Sequence, residues 1–167
     1  MTGLDHHIDS TTKFLDNIFS SLVEVDIDVS PFFLDHICYR VETAEEYERY
    51  KNILADYGTV LSETMVSGRL ISTYKLHEPI TYKERHIPLL ELPSPKPGKH
   101  YASGLEHAEF VIDTSFEAFM KKYPHVSFET KDLEKKINPD IRISFDGCSV
   151  KFHQQSLEDV IKFEQSL

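Results

Sequence analysis

Two stretches of the sequence match each other position by position: LDHICYRVETAEEYE at residues 34–48 and LEHAEFVIDTSFEAF at residues 105–119. Each stretch begins with an eight-residue run whose β-branched and aromatic content favours a strand. Each then carries a threonine with a glutamate three residues later, which is the capping box that begins a helix. An internal repeat of this kind predicts that the chain contains two copies of one structural module.

Further extended runs follow each predicted helix. After the first helix they are TVLSETMV, RLISTYKL and HIPLLEL, with a polar turn from Pro79 to Arg85 before the third. After the second helix, SFEAFMKKY, they are VSFET, DIRISF and CSVKFHQQ, with Asp146 and Gly147 forming a hairpin turn before the last. The order of elements is therefore β-α-β-β-β in both copies, which predicts an α+β fold built from two such modules.

We expect a single domain over residues 1–167, since a chain of this length buries one sizeable core. An extra amphipathic helix over TTKFLDNIFSSLVEV, capped by Asp9 or Ser10, precedes the repeat. The predicted parts are an N-terminal helical segment (1–30), a first module (31–92), a linker rich in proline and glycine (93–103), a second module (104–155) and a C-terminal helix (156–167).

Composition excludes several classes of partner. The net charge of -10 argues against nucleic-acid binding, which draws on clustered lysine and arginine. Membrane insertion is not expected, because no apolar stretch approaches the roughly 20 residues that span a bilayer. Cys38 and Cys148 have neither metal-site nor redox spacing, so we expect a reducing, cytoplasmic location.

Alternation along the first strand of each copy separates an apolar face from a polar one. His36 and Cys38 share the polar face of the first copy, and His107 and Glu109 share that of the second. The last strands of the two copies bring one further metal-binding side chain each. The four candidate metal ligands are His36, Glu91, His107 and His153.

At these residues the sequence resembles the vicinal oxygen chelate superfamily, which includes glyoxalase I, extradiol dioxygenases, methylmalonyl-CoA epimerase and bleomycin resistance proteins. Within it, LDHICYRV, LELPSPKPG and GLEHAEFVI are most similar to YecM-like bacterial proteins. The resemblance spans residues 30–155 and implies that the two modules form one cupped mixed sheet with a divalent metal inside. It implies His36, Glu91 and His107 as ligands. His153 stands where many relatives carry a glutamate, which leaves the chemistry that uses that glutamate as a base open.

Imidazole and carboxylate ligands suit Zn, Ni, Fe and Mn alike, so the identity of the metal stays open. The predicted function is that of a metal-dependent isomerase, lyase or oxygenase acting on a small oxygen-rich substrate. Glu109 is the nearest spare carboxylate for proton transfer, although an ordinary ion pair with Arg40, Arg142 or Lys151 is an equal alternative. The alternative function is a non-catalytic protein that sequesters a small molecule. Either a monomer or a homodimer is compatible with the sequence.

Overall fold

The computed structural model describes residues 3–167 and contains one seven-stranded mixed sheet. The strands are β1 Phe33–Arg40, β2 Gly58–Val66, β3 Arg69–Tyr82, β4 Arg85–Pro93, β5 Gly104–Val111, β6 Asp140–Phe145 and β7 Cys148–His153. The helices are α1 Asp5–Ile8, α2 Thr11–Glu24, α3 Ala44–Leu54, α4 Phe116–Lys122 and α5 Leu157–Gln165, with a 3-10 helix at Lys131–Glu134. The strand order is β2-β3-β4-β1-β5-β7-β6.

The two copies of the repeat meet through their first strands. β1 and β5 are antiparallel neighbours at the centre of the sheet, and each pairs in parallel with the last strand of its own copy, β4 or β7. The sheet is open and ends in the edge strands β2 and β6. The predicted α+β fold, with two modules that form a cupped mixed sheet and an extra N-terminal helix, is confirmed.

Helices α2 and α3 cover one face of the sheet. The hydroxyl of Ser10 accepts a hydrogen bond from the backbone N–H of Lys13 and so begins α2, and Thr43 begins α3 in the same way. The Phe19 ring of α2 packs edge-on against Phe110 of β5, with 6.0 Å between ring centroids. The main hydrophobic core lies between these helices and the sheet.

Helix α5 lies on the opposite face. Its Glu158 pairs with Lys75 of β3 at 3.0 Å, and the backbone N–H of Leu157 donates to a carboxylate oxygen of Asp35 in β1. Val160 and Ile161 are buried against this face. No helix in the described part of the chain is long and apolar enough to cross a membrane.

The second module departs from the predicted order, because residues 126–130 do not form a strand. Only Glu129 pairs with β6, by two backbone hydrogen bonds to Arg142. The chain enters the 3-10 helix immediately after Thr130, which leaves no room for a longer ladder. β6 therefore remains an edge strand over most of its length.

Two local predictions are also corrected. Ser115, and not Thr114, caps α4, because its hydroxyl accepts from the N–H of Ala118. β3 continues to Tyr82 through the predicted turn, and an irregularity in its pairing with β4 accommodates Pro79. Helix α1 includes His6 and His7, and its Ile8 is fully buried.

Candidate metal centre

Four side chains from three adjacent strands converge on the face of the sheet that α5 covers, which we call the site face. They are His36 of β1, Glu91 of β4, and His107 and Glu109 of β5. In the ladders, His36 lies opposite Glu109, and Cys38 lies opposite both His107 and Glu91. Each of the four residues offers one ligand atom, and these atoms all lie within 4.8 Å of one another.

Glu109 is at the centre of this cluster. Its Oε2 lies 2.7 Å from Nε2 of His36 and 3.0 Å from Nε2 of His107. The carboxylate of Glu91 is farther away, at 3.9 Å from Nε2 of His36 and 3.7 Å from Nε2 of His107. Both imidazoles therefore point their Nε2 atoms at the same pair of carboxylates.

The acidic residue that precedes each histidine in the sequence orients its ring by a contact with Nδ1. Nδ1 of His36 is 2.6 Å from the carboxylate of Asp35, and Nδ1 of His107 contacts the carboxylate of Glu106. In the β1–β5 ladder, Asp35 and Glu106 are the unpaired residues at two breaks in register. These breaks are β-bulges, which turn a side chain away from regular alternation. Alternation alone predicts that both acids lie on the opposite face, so the bulges correct that prediction.

Both orienting carboxylates are held in place by further contacts. Asp35, 1% exposed, also accepts the backbone N–H of Leu157 at 3.1 Å. Glu106 also accepts from Arg142 at 2.7 Å and from the hydroxyl of Ser149 at 3.2 Å. Metal-binding histidines in proteins commonly have this support, with the second ring nitrogen bonded to a carboxylate.

The cluster is buried, so charge compensation governs its protonation. Burial by itself lowers the pKa of His36, but the charge of Glu109 and the bond to Asp35 raise that pKa well above its ordinary value. Burial raises the pKa of Glu109, but the charges of His36 and Lys151 bring it well below its ordinary value. Burial raises the pKa of Glu106, and the bond to His107 and the charge of Arg142 then lower it to about 2. The positive charge of the protonated imidazoles thus balances the negative charge of the carboxylates. A metal cation can take the place of those protons.

His153 lies beside this cluster. Its ring is 5.9 Å from that of His36, its Nδ1 is 3.0 Å from the side-chain oxygen of Asn138, and its Nε2 is buried with no partner among the described residues. It forms a separate donor group with Asp35 and His36. The structure thus brings together His36, Glu91 and His107, adds Glu109, and leaves His153 outside that group. A ligand role for His153 stays a prediction.

The partners of Glu109 are the two histidines, while Arg142 pairs with Glu106 at 2.7 Å. Lys151 lies opposite Glu109 in the β5–β7 ladder and acts on it through charge. The role of Asp35 and Glu106 in orienting the histidines is not evident from alternation along the strands. The available signal was the acid that stands directly before the histidine in both copies.

Comparisons with known proteins agree with this architecture. The family model described as YecM protein matches residues 3–164. Protein YecM of Escherichia coli strain K12 is 28% identical, over 84% of this chain and 82% of that protein. The solved structure of Protein EC4020, from structural genomics, is 27% identical with a TM-score of 0.76, and the match covers 99% of this chain and 98% of that one.

A more distant solved structure shares the fold. It is a variant of methylmalonyl-CoA epimerase from Streptomyces coelicolor in complex with 2-nitronate-propionyl-CoA, which is 12% identical with a TM-score of 0.53. The match covers 75% of this chain and 95% of that one. The chain belongs to the YecM protein family.

Proposed function

We propose that this protein binds a divalent metal ion through Nε2 of His36 and His107 and the carboxylates of Glu91 and Glu109. The observation that carries the proposal is the convergence of four such donor atoms within 4.8 Å in a buried position. Two observations on the same residues support it. Each imidazole presents its Nε2 to the cluster, and each has its Nδ1 fixed by a carboxylate.

The donor set fits a divalent cation of the Zn, Ni, Fe or Mn type. Imidazole suits all four metals, and two carboxylates supply the negative charge that neutralises a divalent ion. Two histidines and two carboxylates fill four positions of a six-coordinate ion, which leaves two for oxygen atoms of a ligand. The donor set does not discriminate among these metals.

The ligand that we propose is a small oxygen-rich molecule, and the reaction class is isomerase, lyase or oxygenase. A bound divalent metal would supply Lewis acidity, which stabilises an oxyanion as it forms. Asp35 and Glu106 keep the two imidazoles in the tautomer that presents Nε2. Glu109 is also the candidate base of this proposal: where His36, Glu91 and His107 hold the ion, its carboxylate stays unbound and can accept a proton from the ligand. We further propose a cytoplasmic location.

Sequestration of an intact molecule is the second candidate function. The observation in its favour is the cover that α5 provides over the site face, fixed at Asp35 and at Lys75. Retention under a helix suits storage of a ligand as well as turnover. Recovery of the intact compound after prolonged incubation supports sequestration, whereas metal-dependent conversion supports an enzyme.

Calorimetric titration with Zn²⁺ and Mn²⁺ of protein that carries no histidine tag tests the metal site. We expect the His36→Ala and Glu91→Ala variants to bind metal about 100-fold or more weakly than the unsubstituted protein, because each removes a direct ligand. His100 and Glu78 are exposed, so His100→Ala and Glu78→Ala are matched controls that should leave affinity unchanged. Equal affinity in all five proteins would contradict the proposal.

A further inference from the structure

Cations gather on the site face although the whole chain carries a net charge of -10. Lys151 of β7 lies opposite Glu109, and Arg142 of β6 lies opposite Lys151, so both are on the site face. Thr73 of β3 lies opposite Glu91, and alternation along β3 puts Arg69 on the same face. Lys151 and Arg142 therefore lie beside the candidate metal ligands, and Arg69 lies farther along the same face.

Lys96, in the segment after β4, extends this group of cations. Burial lowers the pKa of its ammonium, and the charges of Arg69, Lys131, Lys99 and Lys151 lower it further. The backbone carbonyl of Ser94, two residues before Lys96, accepts a hydrogen bond from Nη1 of Arg69 at 3.4 Å, so this segment begins beside Arg69. We call Lys151, Lys96 and Arg69 the cationic group.

Lys151 is the member nearest to the metal ligands. It is half-buried, and its ammonium has no hydrogen bond or ion pair with any residue in the range 3–167. Its neighbour Arg142 uses Nη2 to bind Glu106, but Nε of Arg142 is buried without a partner, as is Nε of Arg69. A partly buried cation whose N–H donors have no partner costs free energy unless an anion accepts hydrogen bonds from those donors.

The carboxylates of Glu109, Asp140 and Glu91 act on Lys151 through charge and stabilise its ammonium. Glu91 and Glu109 together neutralise one divalent ion. Glu106 is offset by Arg142, at 2.7 Å, and Asp140 by Lys135, at 3.3 Å. Once a metal takes up the charge of Glu91 and Glu109, Lys151 keeps only Asp140 of these three carboxylates, and Asp140 is shared with Lys135. A neutral ligand would leave the positive charge of the cationic group uncompensated, whereas an anionic ligand would neutralise it.

We propose that Lys151, supported by Lys96 and Arg69, binds an anionic group of the ligand, a carboxylate or a phosphate, while other oxygens of the ligand face the metal. This inference rests on the proposed metal site and adds the charge class of its ligand. It assigns to Lys151 a direct contact with the ligand, and to Lys96 and Arg69 a longer-range attraction.

Oxalate and oxamide provide the test, because the two molecules have the same size and the same paired oxygens but differ in charge. Calorimetry on Mn²⁺-loaded protein should show oxalate binding and at least about tenfold weaker oxamide binding. Lys151→Gln should weaken oxalate binding about tenfold or more and leave metal affinity undiminished. Lys121, 75% exposed on α4, gives the matched control Lys121→Gln, which should bind oxalate normally.

Lys96→Gln is a second variant, at a half-buried position outside any helix or strand, so it tests the inference even if Lys151→Gln folds poorly. It should weaken oxalate binding by a few-fold, and raised salt should lower the oxalate affinity. The same titrations with inorganic phosphate in place of oxalate distinguish the two anion chemistries. The inference fails if oxamide binds as tightly as oxalate, or if the Lys151 and Lys96 variants both match the Lys121 control.

Failure of the metal site is distinguished from failure of the inference by the order of the titrations. If the unsubstituted protein does not bind Mn²⁺, the proposed function is overturned. Phosphate is then titrated into metal-free protein, in which Lys151-dependent binding supports the cationic group on its own and its absence overturns it. Normal Mn²⁺ binding without Lys151-dependent anion binding overturns the inference alone.

Discussion

Replacement of Asp35 by asparagine probes how the candidate metal ligands are held. Asp35 is 1% exposed, contacts Nδ1 of His36 at 2.6 Å and receives the backbone N–H of Leu157 at 3.1 Å. The Asp35→Asn substitution would keep the size of the side chain but remove the negative charge that polarises the imidazole. Loss of such an orienting carboxylate lowers metal affinity by about 10- to 100-fold. That range corresponds to roughly 1.4–2.7 kcal/mol of binding free energy.

The assay is competition between the protein and a fluorescent chelator for Zn²⁺, which gives a ratio of dissociation constants. Glu106→Gln should lower affinity to a similar extent, because Glu106 contacts Nδ1 of His107 in the equivalent position of the second copy. Asp56 is exposed, so Asp56→Asn should bind Zn²⁺ like the unsubstituted protein. Unchanged affinity in the Asp35 and Glu106 variants would refute the role of these carboxylates.

Two further results are expected. Metal at 100 times its dissociation constant should stabilise the fold by about 2.7 kcal/mol, or roughly 5–11 °C in Tm for a chain of this size, and a thermal scan should show no such shift for His36→Ala. Phe110→Ala should lower the free energy of unfolding in urea by about 3–5 kcal/mol, because Phe110 is fully buried against Phe19 and Phe152. Phe163 is 55% exposed, so Phe163→Ala should change the free energy of unfolding by less than about 0.5 kcal/mol. A Tm shift of equal size in His36→Ala, or equal losses from the two phenylalanine variants, would contradict these expectations.

The fold is predictable from the sequence because the two copies of the repeat can be aligned with each other. Leu34 and Leu105 are the second residues of matched strands, and each strand leads into a helix with a hydroxyl cap. The strand expected at residues 126–130 was wrong, since its composition resembles that of a strand but the following 3-10 helix limits it to a single bridge at Glu129. Pairing partners, which decide whether an extended segment joins a sheet, are not encoded in local composition.

Alternation along the strands also predicts part of the candidate site. His36, Glu91 and His107 were expected on one face, and the ladders align them there. The two β-bulges were not accessible, because an extra residue in one strand is defined only by its partner strand. For that reason Asp35 and Glu106 were placed on the wrong face.

The metal content of the purified protein tests the central claim most directly. Mass spectrometry should be applied to protein purified without a histidine tag or chelators, and again after incubation with divalent ions and dialysis. We expect about one divalent ion per chain in the unsubstituted protein and a large loss in a His36→Ala, His107→Ala double variant. An unsubstituted protein that retains no metal after this treatment, or a double variant that retains as much, would contradict the claim that these side chains form a metal site.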